Sequence, residues 1–215
     1  MRRAKTLHAG SSLVRAWEET VKRITLLVLC FFSHKPGWGG EIAGKVDWRG
    51  AEDHSNAVVY ALKIPIEPIH PPKAVVVLDQ INLTFVPHVL PILEGTTVSF
   101  PNSDGLRHNV FSPSPAKRFN LGVYSRGVLR QVTFDQPGEV ALLCNVHPEM
   151  AAYILVLETP YFSVTSKDGA YALRNLPAGQ YTLTIWHELF QSVNYPVEIK
   201  GNETIRLEFM LSVRK

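Results

Sequence analysis

The sequence predicts an all-β protein built from two sandwiches, and two observations lead to this prediction. Beyond residue 40, short runs rich in β-branched and aromatic residues recur, and Gly, Pro, Asn and Asp separate them at the spacing typical of sandwiches. No segment after Glu41 shows sustained helical periodicity with caps. The chain has 215 residues, 46% of them hydrophobic and 19% charged, which is enough for two small globular domains.

Residues 1–40 are predicted to be a leader that directs export. Lys22 and Arg23 precede the apolar run 24–32, and a stretch rich in Pro and Gly follows it. A positive segment before roughly nine apolar residues is typical of a secretory signal and is too short to span a bilayer. A buried amphipathic helix is the alternative for this segment. We therefore expect a periplasmic or otherwise exported protein with no stable membrane span after the leader is removed.

The basic character of the chain belongs to this leader. Of the 22 Lys/Arg and 19 Asp/Glu in the whole chain, 15 and 17 lie in residues 41–215. This nearly balanced charge argues against nucleic acid as a partner. Removal of the leader also leaves Cys144 as the single cysteine, which cannot form an internal disulfide. Its thiol is therefore expected to be reactive or bound to something.

Two blocks of strands follow the leader. Residues 41–72 and 159–215 have alternating strand patterns, with hairpin turns predicted at 168–169 and 177–179. The pattern G-x-Y-x-L-x-N-L-P-x-G-x-Y-x-L in the second segment resembles the carboxypeptidase regulatory-like domain, a small transthyretin-like β-sandwich. The resemblance implies a non-catalytic accessory sandwich whose two segments are separated by residues 73–158. Three consecutive pieces are the alternative arrangement.

The block 73–158 contains a set of soft and borderline metal ligands. His108 begins a predicted strand, and Cys144, His147 and Met150 follow within one loop, beginning 36 residues later. Two imidazoles and a thiolate with a weak axial thioether form the trigonal site that holds copper for electron transfer. Zinc also accepts Cys and His, but a thioether is a poor zinc ligand. We therefore predict one type 1 copper as the cofactor.

Two neighbours of these ligands are predicted to support the site. Pro148 restricts the backbone of His147 and removes one N–H group from the loop. Asn109 follows the first histidine, and its side chain is expected to hydrogen-bond across to the cysteine loop. Bonds of this kind orient the ligands and tune the metal.

The same block resembles the cupredoxins, the plastocyanin- and amicyanin-like blue copper domains, from about Leu78 to Leu157. The resemblance rests on F-x-P-x-x-L-x-x-x-x-G-T-x-V-x-F-x-N-x-D followed by H-N-V, and on C-x-x-H-P-x-M. It implies a Greek-key sandwich with His147 near the surface as the electron exit. We separately expect Pro101, Pro148 and neighbouring apolar residues to form a docking patch. With its accessory sandwich, the chain is similar to bacterial exported proteins labelled plastocyanin-like or methylamine-utilization protein. Those labels imply a redox role but no methylamine substrate.

The predicted function is one-electron transfer between two redox proteins, a donor and an acceptor that the sequence does not identify. A copper-binding carrier or chaperone and a metal-free interaction module are the alternatives. Enzyme motifs are missing, including H-x-H copper pairs, C-x-x-C-H, H-E-x-x-H and G-x-S-x-G. We therefore do not expect an enzyme.

Five residues outside the predicted ligand set have ordinary structural interpretations. His54 and His70 are expected to be solvated, and His88 is expected at the surface or beside the ligands. His187 is expected at the edge of an aromatic core, and Met210 inside a core.

Overall fold

The structure is a computed structural model that describes residues 39–64, 70–71 and 74–212. The predicted leader lies outside these residues except for Gly39 and Gly40. The described residues form strands and no helix, so the predicted all-β class is confirmed. Within that part of the chain, no helical segment has the length and hydrophobicity of a membrane span.

The strands follow one another with short connections throughout the described residues. In chain order they are β1 (Gly40–Trp48), β2 (Val58–Ile64), β3 (Val76–Val77), β4 (Asp79–Ile81), β5 (Thr84–Val86), β6 (Val89–Leu93), β7 (Thr96–Ser99), β8 (His108–Ser112), β9 (Phe119–Tyr124), β10 (Gln131–Phe134), β11 (Gly138–Leu143), β12 (Ala151–Leu157), β13 (Phe162–Val164), β14 (Ala170–Leu176), β15 (Gly179–Trp186), β16 (Val193–Ile199) and β17 (Thr204–Leu211).

The first two strands and the last five form what we call the flanking sandwich. One of its sheets has the order β14-β1-β17, and the other has the order β13-β2-β15-β16. Alternate residues of both sheets point into a shared core, in which Ile42, Val59, Leu173 and Leu183 are at most 2% exposed. Strand pairing therefore joins chain segments that lie on either side of residues 76–157.

The turns predicted at 168–169 and 177–179 are present, but neither closes a hairpin. The first joins β13 to β14 and the second joins β14 to β15, and in both cases the two strands belong to different sheets. Gly169 has a φ of +79°, and a Cβ there would lie 2.3 Å from the carbonyl oxygen of Val46. The first turn therefore requires glycine both for its conformation and for its close approach to β1.

The ten strands from β3 to β12 form the central sandwich. Its larger sheet has the order β6-β12-β11-β8-β9, and the facing sheet has the order β10-β7-β3. In the larger sheet, β12 lies between β6 and β11, which are distant in sequence, and this crossing connectivity is that of a Greek-key sandwich. Phe100, Phe134, Leu142 and Ile154 are fully buried between the sheets. A small hairpin of β4 and β5 completes this sandwich.

A third apolar cluster joins the two sandwiches. It contains Val58 of β2 and Trp186 of β15 from the flanking sandwich, and Val89 of β6 and Leu155 of β12 from the central sandwich. The Trp186 indole N–H donates to a carboxylate oxygen of Glu139 at 2.9 Å, so its polar edge also has a partner across this junction.

Candidate metal centre

Three potential ligands meet at the end of the central sandwich where β8 begins and β11 ends. The two strands are antiparallel neighbours, and Leu143 of β11 pairs with Phe111 of β8. The cysteine that follows β11 is thereby brought beside the first residues of β8. One donor atom each of His108, Cys144 and His147 lies within 4.8 Å of the others. These three side chains thus lie together, although His108 precedes Cys144 by 36 positions and His147 by 39 positions.

The two imidazole rings face each other through their Nδ1 atoms. The Nδ1 of His108 lies 2.9 Å from the Nδ1 of His147, and the ring centroids are 4.8 Å apart. The side chain of His108 is completely buried, whereas His147 is partly exposed at the surface. Only one of two facing nitrogens can donate a proton to the other, so at least one Nδ1 presents a lone pair to this space.

Asp104 fixes the orientation of the buried ring from its opposite side. One carboxylate oxygen lies 3.1 Å from the Nε2 of His108 and also accepts the backbone N–H of Leu83 at 2.9 Å. The pKa of Asp104 is held below its usual value, first by the Leu83 N–H and then by the His108 ring. A charged carboxylate accepts a proton from Nε2, which leaves Nδ1 as the lone-pair atom that faces His147.

The sequence alone predicts no role for Asp104, although the residue is part of the N-x-D segment of the cupredoxin pattern. A carboxylate four residues before a predicted ligand histidine is the signal that could have revealed it, because ligand histidines donate their second N–H to such groups.

Cys144 is buried, with 4% of its surface exposed. Its sulfur accepts hydrogen bonds from two backbone N–H groups. The N–H of Asn109 lies 3.5 Å from Sγ, and the N–H of His147 lies 3.4 Å from it. One donor comes from β8 and the other from the loop itself. The sulfur is therefore held between the strand that carries His108 and the loop that carries His147.

The side chain of Asn109 does not bond across to the cysteine loop, so that expectation is wrong. Its amide N–H groups donate to Asn120 Oδ1 at 2.8 Å and to the Gly122 carbonyl at 3.0 Å, both in β9. The pairing register of β8 and β9 shifts between Asn109 and Phe111. The amide side chain thus holds an irregularity of the sheet directly beside His108, and only its backbone N–H reaches the cysteine.

Met150 closes the ligand loop from inside the sandwich. Its side chain is 1% exposed and belongs to the same apolar core as Cys144. Its backbone N–H donates to the His147 carbonyl at 3.0 Å, which makes the end of the loop a tight turn. Pro148 lies at the exposed surface of that turn.

Two of the five residues outside the ligand set differ from their sequence interpretation. His54 is not solvated, because its Nδ1 accepts the N–H of Trp48 at 3.3 Å and its ring packs on that indole. Met210 is 62% exposed and is not part of a core. His187 packs against Trp48 and Phe190 as expected, and His70 is exposed.

The residues present fit a copper ion. The converging atoms are two imidazole nitrogens and one cysteine sulfur, a set that suits copper in either oxidation state. Asp104 already directs a lone pair of His108 into the shared space. A cation bound by both rings would take the place of the proton that the two Nδ1 atoms share.

Comparison with known proteins gives structural neighbours only, since no family model and no curated protein matches the chain. A copper-containing nitrite reductase from Thermus scotoductus SA-01 is 24% identical, over 53% of this chain and 28% of that chain, with a TM-score of 0.39. A purple cupredoxin from Nitrosopumilus maritimus is 23% identical, over 38% of this chain and 99% of that chain, with a TM-score of 0.35. A reduced amicyanin mutant is 19% identical, over 46% and 99%, with a TM-score of 0.37. The chain thus spans about a quarter of the reductase, and its function has to be inferred from the residues of the site.

Proposed function

We propose that this chain binds one type 1 copper ion and passes single electrons between two redox proteins outside the cytoplasm. The observation that carries the proposal is the convergence of His108, Cys144 and His147, whose donor atoms lie within 4.8 Å of one another. Copper supplies the one-electron chemistry, because it cycles between Cu(I) and Cu(II) in such a donor set.

Each residue has a separate task in this proposal. Cys144 would hold the copper through its thiolate, His108 and His147 through their imidazoles, and Met150 through its thioether. The N–H groups of Asn109 and His147 lie within 3.5 Å of the sulfur, and hydrogen bonds there tune the reduction potential. Because the sandwich holds the ligands in place, their positions would change little on electron transfer, and the reorganisation energy would be small.

A redox partner would dock around His147. This ring is partly exposed, and Val146 beside it is 41% exposed. Leu106, two residues before His108, is 49% exposed, and Leu83, whose N–H bonds Asp104, is 37% exposed. We include these apolar residues with Pro101 and Pro148 in the proposed docking patch. An apolar surface of small area suits brief encounters between redox proteins.

We propose that the protein is an electron carrier and not an enzyme. Two imidazoles, a thiolate and a thioether would occupy every position of such a copper site, which leaves none for a substrate. A copper site whose four positions are all filled by protein ligands also distinguishes an electron carrier from a copper chaperone, because the ligands of a chaperone have to release the ion.

We further propose that the two sandwiches are separate domains, with residues 73–158 inserted between 41–72 and 159–215. Each sandwich has its own apolar core, which supports this division. The flanking sandwich is the proposed carboxypeptidase regulatory-like domain. The proposal that the protein is exported is supported by the leader pattern in residues 1–40.

Voltammetry and copper exchange on the full chain test the proposed function. We expect one reversible one-electron wave from the copper-loaded protein and release of copper to a chelator over hours. Transfer of copper to an acceptor within seconds, together with the absence of a reversible wave in voltammetry, would instead identify a copper carrier.

A further inference from the structure

His88 lies between the two sandwiches and contacts both. Its Nδ1 is 3.1 Å from the carbonyl oxygen of Ala151, at the start of β12. Its Nε2 is 2.7 Å from a carboxylate oxygen of Glu188, in the flanking sandwich. Each ring nitrogen of His88 is thus within hydrogen-bond distance of an oxygen in a different sandwich.

The Ala151 contact is made where the ligand loop ends. Ala151 directly follows Met150, so a bond to its carbonyl fixes the backbone that leads out of the loop. The His88 carbonyl also accepts the N–H of Tyr153 at 2.9 Å, and the two rings are 5.8 Å apart in a T-shaped arrangement. The first residues of β12, which directly follow Met150, are therefore held by His88 through main chain and side chain.

Glu188 is itself held by the flanking sandwich. It lies between β15 and β16, in a loop whose N–H groups at Leu189 and Phe190 donate to the Nδ1 and the carbonyl of His187. The His187 ring packs between Trp48 and Phe190, with centroid distances of 4.8 and 5.0 Å. The Glu188 side chain is 19% exposed, so its bond to His88 is partly shielded from water.

We propose that Glu188 and His88 are positioning residues for the Met150 end of the ligand loop, an inference that rests on the proposed copper site. The flanking sandwich would then set the placement of Met150, one of the proposed copper ligands, as well as supporting the fold. Loss of the Glu188 carboxylate would free the His88 ring, loosen the Ala151 carbonyl and let the backbone at Met150 move.

The variant Glu188→Gln tests this role, because it keeps the shape of the side chain and removes its charge. Glu139→Gln is the matched control, because Glu139 accepts the Trp186 N–H at the same junction but lies at the start of β11, away from the ligand loop. The first readout is hydrogen exchange of the Met150 amide in the metal-free full chain. We expect roughly tenfold faster exchange in Glu188→Gln and little change in Glu139→Gln.

The second readout is the visible spectrum of each copper-loaded protein. Glu188→Gln is expected to change the intensity ratio of the thiolate–copper bands, and Glu139→Gln is not. Unchanged Met150 exchange in Glu188→Gln, or an equal change in both variants with equal loss of thermal stability, would overturn the positioning role. If the unaltered protein shows no thiolate–copper band, the proposed function fails, while the metal-free exchange still decides whether Glu188 positions the loop.

Discussion

The two ring nitrogens of His108 have different partners, and this difference decides which of them can bind a metal. Nε2 lies 3.1 Å from a carboxylate oxygen of Asp104, and Nδ1 faces His147 at 2.9 Å. Because Asp104 is also fixed by the N–H of Leu83, the carboxylate cannot turn away without losing a second bond. Asp104 thereby selects the tautomer in which Nδ1 is free to act as a ligand.

Replacement of Asp104 by Asn should weaken copper binding. The neutral amide accepts the Nε2 proton less strongly and can also present its own N–H to the ring, which favours the wrong tautomer. We expect a loss of roughly 10- to 100-fold in copper affinity, measured by competition with a chelator.

Asp79→Asn is the matched control for this prediction. The Asp79 carboxylate holds the same loop by accepting the Ser103 hydroxyl at 2.7 Å and the Ser103 N–H at 3.2 Å, and those contacts do not involve His108. Equal losses of affinity in the two variants would mean that Asp104 acts only by ordering the loop.

At the scale of the strand, the irregular pairing of β8 with β9 connects the sheet to the site. The Asn109 side chain bridges to Asn120 and to the Gly122 carbonyl, while its backbone N–H points at the Cys144 sulfur. The shift in register changes the direction in which the first residues of β8 point. The His108 side chain and the Asn109 N–H therefore both reach the ligand loop.

Asn109→Ala should destabilise the fold at this strand pair. The side chain is buried, and its removal breaks two hydrogen bonds and leaves Asn120 and Gly122 without that partner. We expect a loss of about 1–3 kcal/mol in the free energy of unfolding, measured by urea denaturation of the metal-free protein. Asn145→Ala, at an exposed position of the ligand loop, should change it by less than about 0.5 kcal/mol. Equal effects of both substitutions would contradict the role of Asn109.

Strands and candidate ligands are predictable here because their signals are local. Alternation within a strand and the spacing C-x-x-H-P-x-M need no knowledge of the rest of the chain. The turn at Gly169 is likewise visible in the sequence, but the sheet that each flanking strand joins is a long-range choice. The same limit explains the misassigned partner of Asn109, whose neighbour in β9 is set by the register.

Exposure of single residues at the sheet surfaces was less predictable for a similar reason. Met210 lies in an apolar run of β17, yet 62% of it is exposed. His54 lies in a polar connection, yet it packs on Trp48. The first outcome depends on which face of β17 meets a second layer, and the second depends on where the connection folds back onto β1. Composition alone determines neither.

At the scale of the molecule, each sandwich buries a tyrosine whose hydroxyl has a main-chain acceptor. Tyr124 donates to the Phe100 carbonyl at 2.9 Å in the central sandwich, and Tyr171 donates to the Leu207 carbonyl at 3.0 Å in the flanking sandwich. Burial raises the pKa of Tyr124 to about 12 and also raises the pKa of Tyr171, because the phenolate would be poorly solvated.

The metal-free protein should therefore lose stability in alkali. The ordinary pKa of 10.0 applies to the unfolded chain, so above that pH the unfolded state releases the Tyr124 proton while the folded state retains it. The contribution of the protonated Tyr124 hydroxyl to the free energy of unfolding is fully present below pH 10. This contribution should fall by about 2 kcal/mol as the pH rises from 10 toward 12. Urea denaturation at pH 9 and pH 11 measures the slope.

Tyr124→Phe is the control for this pH dependence. Gln80 keeps the Pro101 carbonyl as a partner at 2.8 Å, so the variant should still fold. Its stability should decline less steeply between pH 9 and pH 11. An unchanged slope would show that other groups account for the alkaline loss.

The visible absorption spectrum of the full chain after addition of Cu(II), beside a Cys144→Ser control, tests the central claim most directly. A thiolate–copper site predicts an intense blue or green band that a mild reductant bleaches and that the control lacks. A pale spectrum without a charge-transfer band, identical in both proteins, would mean that Cys144 does not bind copper and would contradict the proposed electron-transfer function.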